Sequence, residues 1–176
     1  MLNIVIPMAG LGSRFANAGY KLPKPLIDVD GEPMIKVVID NLSPNCEHRF
    51  IFVCQNEHIK QYDLITKLNS FTKNPIIIGI DGLTEGQICT VLKAKEYIDN
   101  DEPLMTANSD QWIDFDINEY LEDMSRRQLD GLIMTMKAND PKWSYAKSDV
   151  NGYVIETAEK KVISEDATVG IFNFAH

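Results

Sequence analysis

Apolar and polar positions along this chain repeat with two different periods, and the changes of period lay out strands and helices in turn. Leu2, Ile4, Val5 and Ile6 form a short apolar run that predicts a buried strand over residues 2–8. A helical period follows from Pro33, a residue suited to the first helical position, with Met34, Val37, Val38 and Leu42 turned inward. Residues 49–54 (Arg-Phe-Ile-Phe-Val-Cys) predict a second strand, and about 57–69 a helix. Pro75 opens a third strand that runs to Ile80 and ends at the turn Asp81-Gly82. Residues 86–99 predict one helix, with Val91, Leu92, Ala94 and Ile98 apolar. A fourth strand over 103–107 and a helix over roughly 116–128 follow. Strands alternating with helices in this way predict an α/β fold, built from βαβ units around a mainly parallel sheet.

The pattern changes after Asp130-Gly131. A strand at 132–137 leads to the turn Asn139-Asp140-Pro141 and a short strand near 143–147. Asp149-Val150-Asn151-Gly152 predicts a hairpin turn, with strands around 153–157, 160–163 and 168–174. This smaller β-rich portion (131–176) is expected to lie on the first half (1–130) within a single domain of 1–176. The length suits one domain with one good core.

Composition narrows the function classes. A net charge of −9 argues against a partner such as nucleic acid or an anionic membrane, either of which needs a basic face. No apolar run is long enough to span a bilayer, so membrane insertion is not expected, and the N-terminus begins a strand where a signal peptide would have a basic start. Cys46, Cys54 and Cys89 have no metal-type spacing among themselves or with His48, His58 and His176. They predict reduced thiols, hence a cytoplasmic protein, and no zinc site.

The candidate chemistry starts where the first strand ends. Met8-Ala9-Gly10-Leu11-Gly12-Ser13-Arg14 places two glycines in the loop, where the backbone can approach a ligand and point successive N–H groups at an anion. Arg14 adds a permanently charged fork for phosphate oxygens, and Lys24 a second cation stiffened by Pro23 and Pro25. The loop has neither the Gly-Lys-Ser/Thr ending of a Walker A loop nor the third glycine of a dinucleotide fingerprint. An acidic chain must gather cations locally, or recruit a divalent metal, to bind a triphosphate. Asp110 follows the fourth strand, at the sheet edge where open α/β sheets bind ligands, and could hold Mg²⁺ or simply cap the next turn. Thr84 and Gln87 have the spacing of a capping box ahead of a helix, so Gln87 is either a ligand contact beside Gly86 or a cap. Asp114-Phe115-Asp116 has the spacing of a metal-binding Asp-x-Asp, although Asp116 also sits where it would favour a helix N-terminus.

Gly10-x-Gly12-x-Arg14 with Pro23-Lys24-Pro25-Leu26 resembles the signature of the sugar-phosphate nucleotidyltransferases, in particular capsule-biosynthesis members labelled family 2 glycosyltransferase-like. The resemblance implies a Rossmann-like (GT-A-like) mixed, mainly parallel sheet flanked by helices. It also implies a Mg²⁺-dependent transfer of a nucleotidyl group from an NTP to a phosphorylated small-molecule acceptor, with release of pyrophosphate. Asp110 would hold the metal and Arg14 and Lys24 would be catalytic. Met8 to Ser13, Gly86 and Gln87 would surround the nucleotide; CTP, UTP, dTTP and GTP all stay open, with a pyrimidine preferred for the small space beside Met8 and Ala9. Glu159-Lys160 resembles the Glu-Lys-Pro segment that grips the acceptor phosphate, with Lys161 in place of proline; Lys160 would be the acceptor contact. Gly170-Ile171-Phe172 is like the Gly-Ile-Tyr strand that trails it. Relatives continue past this strand to a second metal-binding aspartate and closing helices; no equivalent is seen up to His176, and whether that part is truncated here or supplied differently stays open. Two other readings stay open: a metal-dependent glycosyltransferase using the Asp-x-Asp, and a nucleotide-binding module without turnover. Homo-oligomer formation is left open as well.

Overall fold

Strict alternation along the first strand decides how the layers stack. Ile4 and Ile6 of β1 (Leu2–Pro7) point to one face of the sheet and Val5 to the other, all three fully buried. The computed structural model describes all residues, 1–176. After β1 come α1 (Ser13–Asn17), a 3₁₀ turn at Lys24–Leu26, and the small hairpin β2 (Asp28–Val29) and β3 (Glu32–Pro33). Then follow α2 (Met34–Leu42), β4 (His48–Gln55), α3 (Asn56–Tyr62), α4 (Leu64–Phe71), β5 (Ile76–Ile80), α5 (Gln87–Val91) and α6 (Lys95–Ile98). The chain continues through β6 (Leu104–Ala107), α7 (Ile117–Arg127), β7 (Gly131–Lys137), β8 (Tyr145–Ser148), β9 (Val154–Ala158) and β10 (Asp166–Phe174).

Eight strands form one sheet in the order β5-β4-β1-β6-β10-β8-β9, with β7 also paired to β10. The first four are parallel, and β10 runs antiparallel to β6, β7 and β8. The fold is thus a mixed, mainly parallel Rossmann-like sheet flanked by helices, as the alternation predicts. The larger core lies under α2, α4 and α7, where Ile35, Leu42, Leu64, Leu68 and Ile117 meet Ile4, Ile6, Phe50 and Phe52. A smaller one on the other face joins Val5, Ile51 and Val53 to Val91 and Ala94.

Several expectations are corrected. The helix expected over 57–69 is two helices, because Asp63 stands in the left-handed region (φ 49°) between α3 and α4. Asp is among the few residues that visit that region readily. The helix expected over 86–99 is broken by a 3₁₀ turn at Leu92–Ala94, and Leu92 is exposed. Pro33 stands one residue before α2, closing the β2/β3 hairpin, whose turn residues Asp30 and Gly31 have φ of 53° and 92°. The inward face of α2 is Ile35, Val38, Ile39 and Leu42. No strand forms at 160–163. Lys160 turns the chain at φ 51°, and Ser164 donates to the Ala146 carbonyl at 2.7 Å.

Candidate active site

The chain leaves β1 for β4 and β5 on one side and returns to β6 on the other. Open α/β sheets bind ligands outside the carboxyl ends of their strands at such a reversal. A cavity of about 350 Å³ lies there, walled by Pro7–Gly10 and Gly12, by Lys24 and Pro25, by Leu83, Thr84, Gly86 and Gln87, and by Asn108–Asp110. Met8 and Ala9 are buried, and the N–H groups of Ala9, Gly10, Leu11 and Gly12 find no acceptor within the protein. Successive free N–H groups of this kind are what an anion requires. A Cβ on Gly10 would meet no protein atom, so the missing side chain there serves the cavity. Gly12 has two internal reasons to be glycine. Its φ is +59°, and a Cβ would stand 3.1 Å from the Cβ of Lys24.

Lys24 is the one cationic side chain lining the cavity. Pro25 and Leu26 are buried and anchor its turn. The ammonium pairs with the Asp110 carboxylate and lies 5.5 Å from the centroid of the Phe15 ring. Leu11, Ser13 and Arg14 are exposed, on the loop tip and α1, and do not line the cavity. Lys160 is on an exposed turn, paired with Glu159 at 2.9 Å, and is not brought to the cavity either.

Gln87 does not cap a helix. Gly86 is the cap residue of α5 with no side-chain bond, and the hydroxyls of Thr84 and Thr90 converge on its carbonyl at 3.0 and 3.2 Å. Gln87, at the first helical position, instead reaches out to donate to Asn108 Oδ1 at 2.7 Å. Gly170 makes room for that partner. It sits where the β10–β7 register shifts, with φ +77°, and a Cβ there would fall 2.0 Å from Asn108 Nδ2. The Asp-x-Asp does not gather at a metal position. Asp116 accepts from the Asn118 N–H at 2.8 Å and caps α7, while Asp114 and Phe115 border a separate, largely apolar cavity.

Sequence reasoning missed Asn108, Ser109 and Thr90, which line the cavity, and it missed Gln55 behind it. Gln55 ends β4, is nearly buried, and donates one hydrogen to the Ala9 carbonyl at 2.7 Å and the other to the Gly82 carbonyl at 2.8 Å. It ties the glycine loop to the segment that forms the opposite wall. The signal was its place at the carboxyl end of a parallel strand, the same signal that singled out Asp110.

No three His, Cys, Asp or Glu side chains gather anywhere in the molecule. A Mg²⁺ bound with a nucleotide needs only one or two carboxylates, its remaining positions going to water and phosphate oxygens. The Asp110 carboxylate, about one-third exposed and lining a polar cavity beside Ser109 and Asn108, fits that requirement.

Fold and cavity together define an α/β protein with a glycine loop of unpaired N–H groups at the reversal point of its sheet. The family model described as nucleotidyl transferase matches residues 4–176, and the chain belongs to that family. It is 26% identical over 123 residues to the bifunctional protein GlmU of Methanocaldococcus jannaschii; the match covers 69% of this chain and 28% of that protein. Among solved structures, a nucleoside-diphosphate-sugar pyrophosphorylase from Vibrio cholerae RC9 is 27% identical with a TM-score of 0.76, over 97% of this chain and 72% of that one. The inositol-1-phosphate CTP transferase of T. maritima shares the fold, with a TM-score of 0.76 at 16% identity over 98% of this chain and 69% of that one.

Proposed function

We propose that this protein transfers a nucleoside monophosphate from a nucleoside triphosphate to a phosphorylated small molecule, most readily a sugar phosphate, releasing pyrophosphate. The carrying observation is that Ala9, Gly10 and Gly12, whose N–H groups have no acceptor within the protein, line the same cavity as Lys24 and Asp110 at the reversal point. An oxygen of the acceptor's phosphate attacks the α-phosphorus in line. The bond to the bridging oxygen breaks, and pyrophosphate leaves with that electron pair. The nucleophile is already ionised at neutral pH, so no general base is needed, and the protein contributes positioning and charge neutralisation. Lys24 and the loop amides would receive the triphosphate, with Arg14 adding charge from the rim. Asp110, with Asn108 and Ser109 beside it, would hold Mg²⁺, which when bound supplies charge neutralisation on the phosphate oxygens. Gln87 and Asn108 present amide groups for a base or acceptor hydroxyl. The names of the relatives support a sugar-phosphate acceptor. A nucleotide-sugar product would serve polysaccharide synthesis, the capsule included.

Two measurements test this. Pyrophosphate release should appear with one NTP, Mg²⁺ and a member of a panel of sugar phosphates; silence across the full panel would sink the reading. Thermal shift with each NTP and Mg²⁺ should single out one base, since a ligand at 100 times its dissociation constant stabilises by about 2.7 kcal/mol.

A further inference from the structure

The two charged side chains that the proposed reaction needs apart are bound to each other: the Lys24 ammonium is paired with the Asp110 carboxylate across the cavity. Each is only about one-quarter to one-third exposed (26% and 35%), so the pair is partly shielded from water. Lys24 is held on a second side by the Phe15 ring, 5.5 Å away. We infer that the Lys24–Asp110 ion pair is an internal latch, which makes the triphosphate and its divalent cation bind as one unit and resists either one alone. The inference rests on the phosphate-site reading above.

The physical reason is a partner exchange. A metal-free triphosphate that takes Lys24 leaves the Asp110 carboxylate uncompensated beside polyanionic phosphates. A metal ion that takes Asp110 leaves the Lys24 ammonium uncompensated beside a dication. Only when both arrive does each side chain trade one opposite charge for another. Lys24 is the one cation lining this cavity in a chain of net charge −9, so no other side chain there can relieve the first case. Coupling between two ligands is reciprocal, so the cation should strengthen the triphosphate by the same factor as the triphosphate strengthens the cation.

Inorganic tripolyphosphate serves as the probe, since it carries the shared phosphate chemistry without a base, and Mn²⁺ reports metal binding by electron paramagnetic resonance. Calorimetry on the wild type should show tripolyphosphate binding at least roughly fivefold tighter with Mg²⁺ than in chelator, the low end of ordinary coupling. Asp110→Asn should bind metal-free tripolyphosphate more tightly than wild type and lose the Mg²⁺ enhancement. Lys24→Met should bind Mn²⁺ alone more tightly than wild type. The double variant is decisive: the gain from Asp110→Asn should vanish when Lys24 is already Met, because no latched cation is left to release. If that gain persists undiminished in the Lys24→Met background, simple repulsion between Asp110 and phosphate explains it and the latch is wrong. If wild type binds tripolyphosphate but the cycle shows no coupling, the latch alone falls. If neither tripolyphosphate nor Mn²⁺ binds any folded variant, checked by circular dichroism, the phosphate-site reading falls and the latch with it.

Discussion

Gly10 and Gly12 stand two residues apart and should respond oppositely to the same substitution. Gly12→Ala places a side chain at φ +59° and crowds the Lys24 Cβ, so it should cost about 1 kcal/mol or more of stability. Gly10→Ala meets no protein atom and has no left-handed backbone, so the melting temperature should hold while triphosphate affinity falls by roughly tenfold, or about 1.4 kcal/mol. Thermal denaturation and calorimetry on both variants check the pair; equal losses of stability would contradict the geometry. The cysteines separate in the same way. Burial pushes the Cys54 thiol up to about 12, so it stays protonated through the neutral and mildly alkaline range, whereas Cys46 is exposed. A thiol reagent under mildly alkaline native conditions should modify Cys46 and reach Cys54 only after unfolding.

At the scale of elements, Gln55 connects β4 to two loops that no other side chain ties together. Gln55→Ala removes two hydrogen bonds, one of them to the buried Ala9 carbonyl, and should cost about 2 kcal/mol. The more telling readout is local: limited proteolysis should begin to cut at both Ala9–Gly12 and Gly82–Gly86, and triphosphate affinity should fall. New cleavage in only one loop would deny that Gln55 clamps them together. Asp116→Ala is the counterpart away from the cavity. It should cost about 1 kcal/mol through the lost cap of α7 and leave triphosphate binding unchanged, whereas a metal-holding Asp-x-Asp would lose metal-dependent binding.

Across the whole molecule, β10 is the seam. Its second half pairs with β6 on one side and β7 on the other, so the β-rich portion shares hydrogen bonds directly with the parallel strands. We therefore expect residues 1–176 to unfold as one unit. Fluorescence from Trp112 and Trp143, which stand in the two portions, and far-ultraviolet circular dichroism should give superimposable denaturation curves; two separate transitions would contradict this.

Much of this protein was legible in its order of residues because the signals are local. The short apolar run of β1, the continuous apolar β4, the glycines after β1 and the aspartate after β6 each act through near neighbours. The reversal of strand order that makes those two loops adjacent was not legible, because parallel strands can be wound in one direction or in two and tertiary packing makes the choice. The breaks at Asp63 and Leu92–Ala94 were not legible, since the apolar period continues across them and tertiary packing decides where a backbone turns. Nor was the fate of the polar side chains. Gln87 has the spacing of a cap and spends its amide on Asn108, Asp116 has the spacing of a metal ligand and caps a helix, and Lys160 has the neighbours of an acceptor contact and faces solvent. A side-chain hydrogen bond depends on what stands within three ångströms in space. Gln87 and Asn108 are 21 residues apart, and Gln55 and Ala9 are 46 apart, so only the folded sheet could pair them.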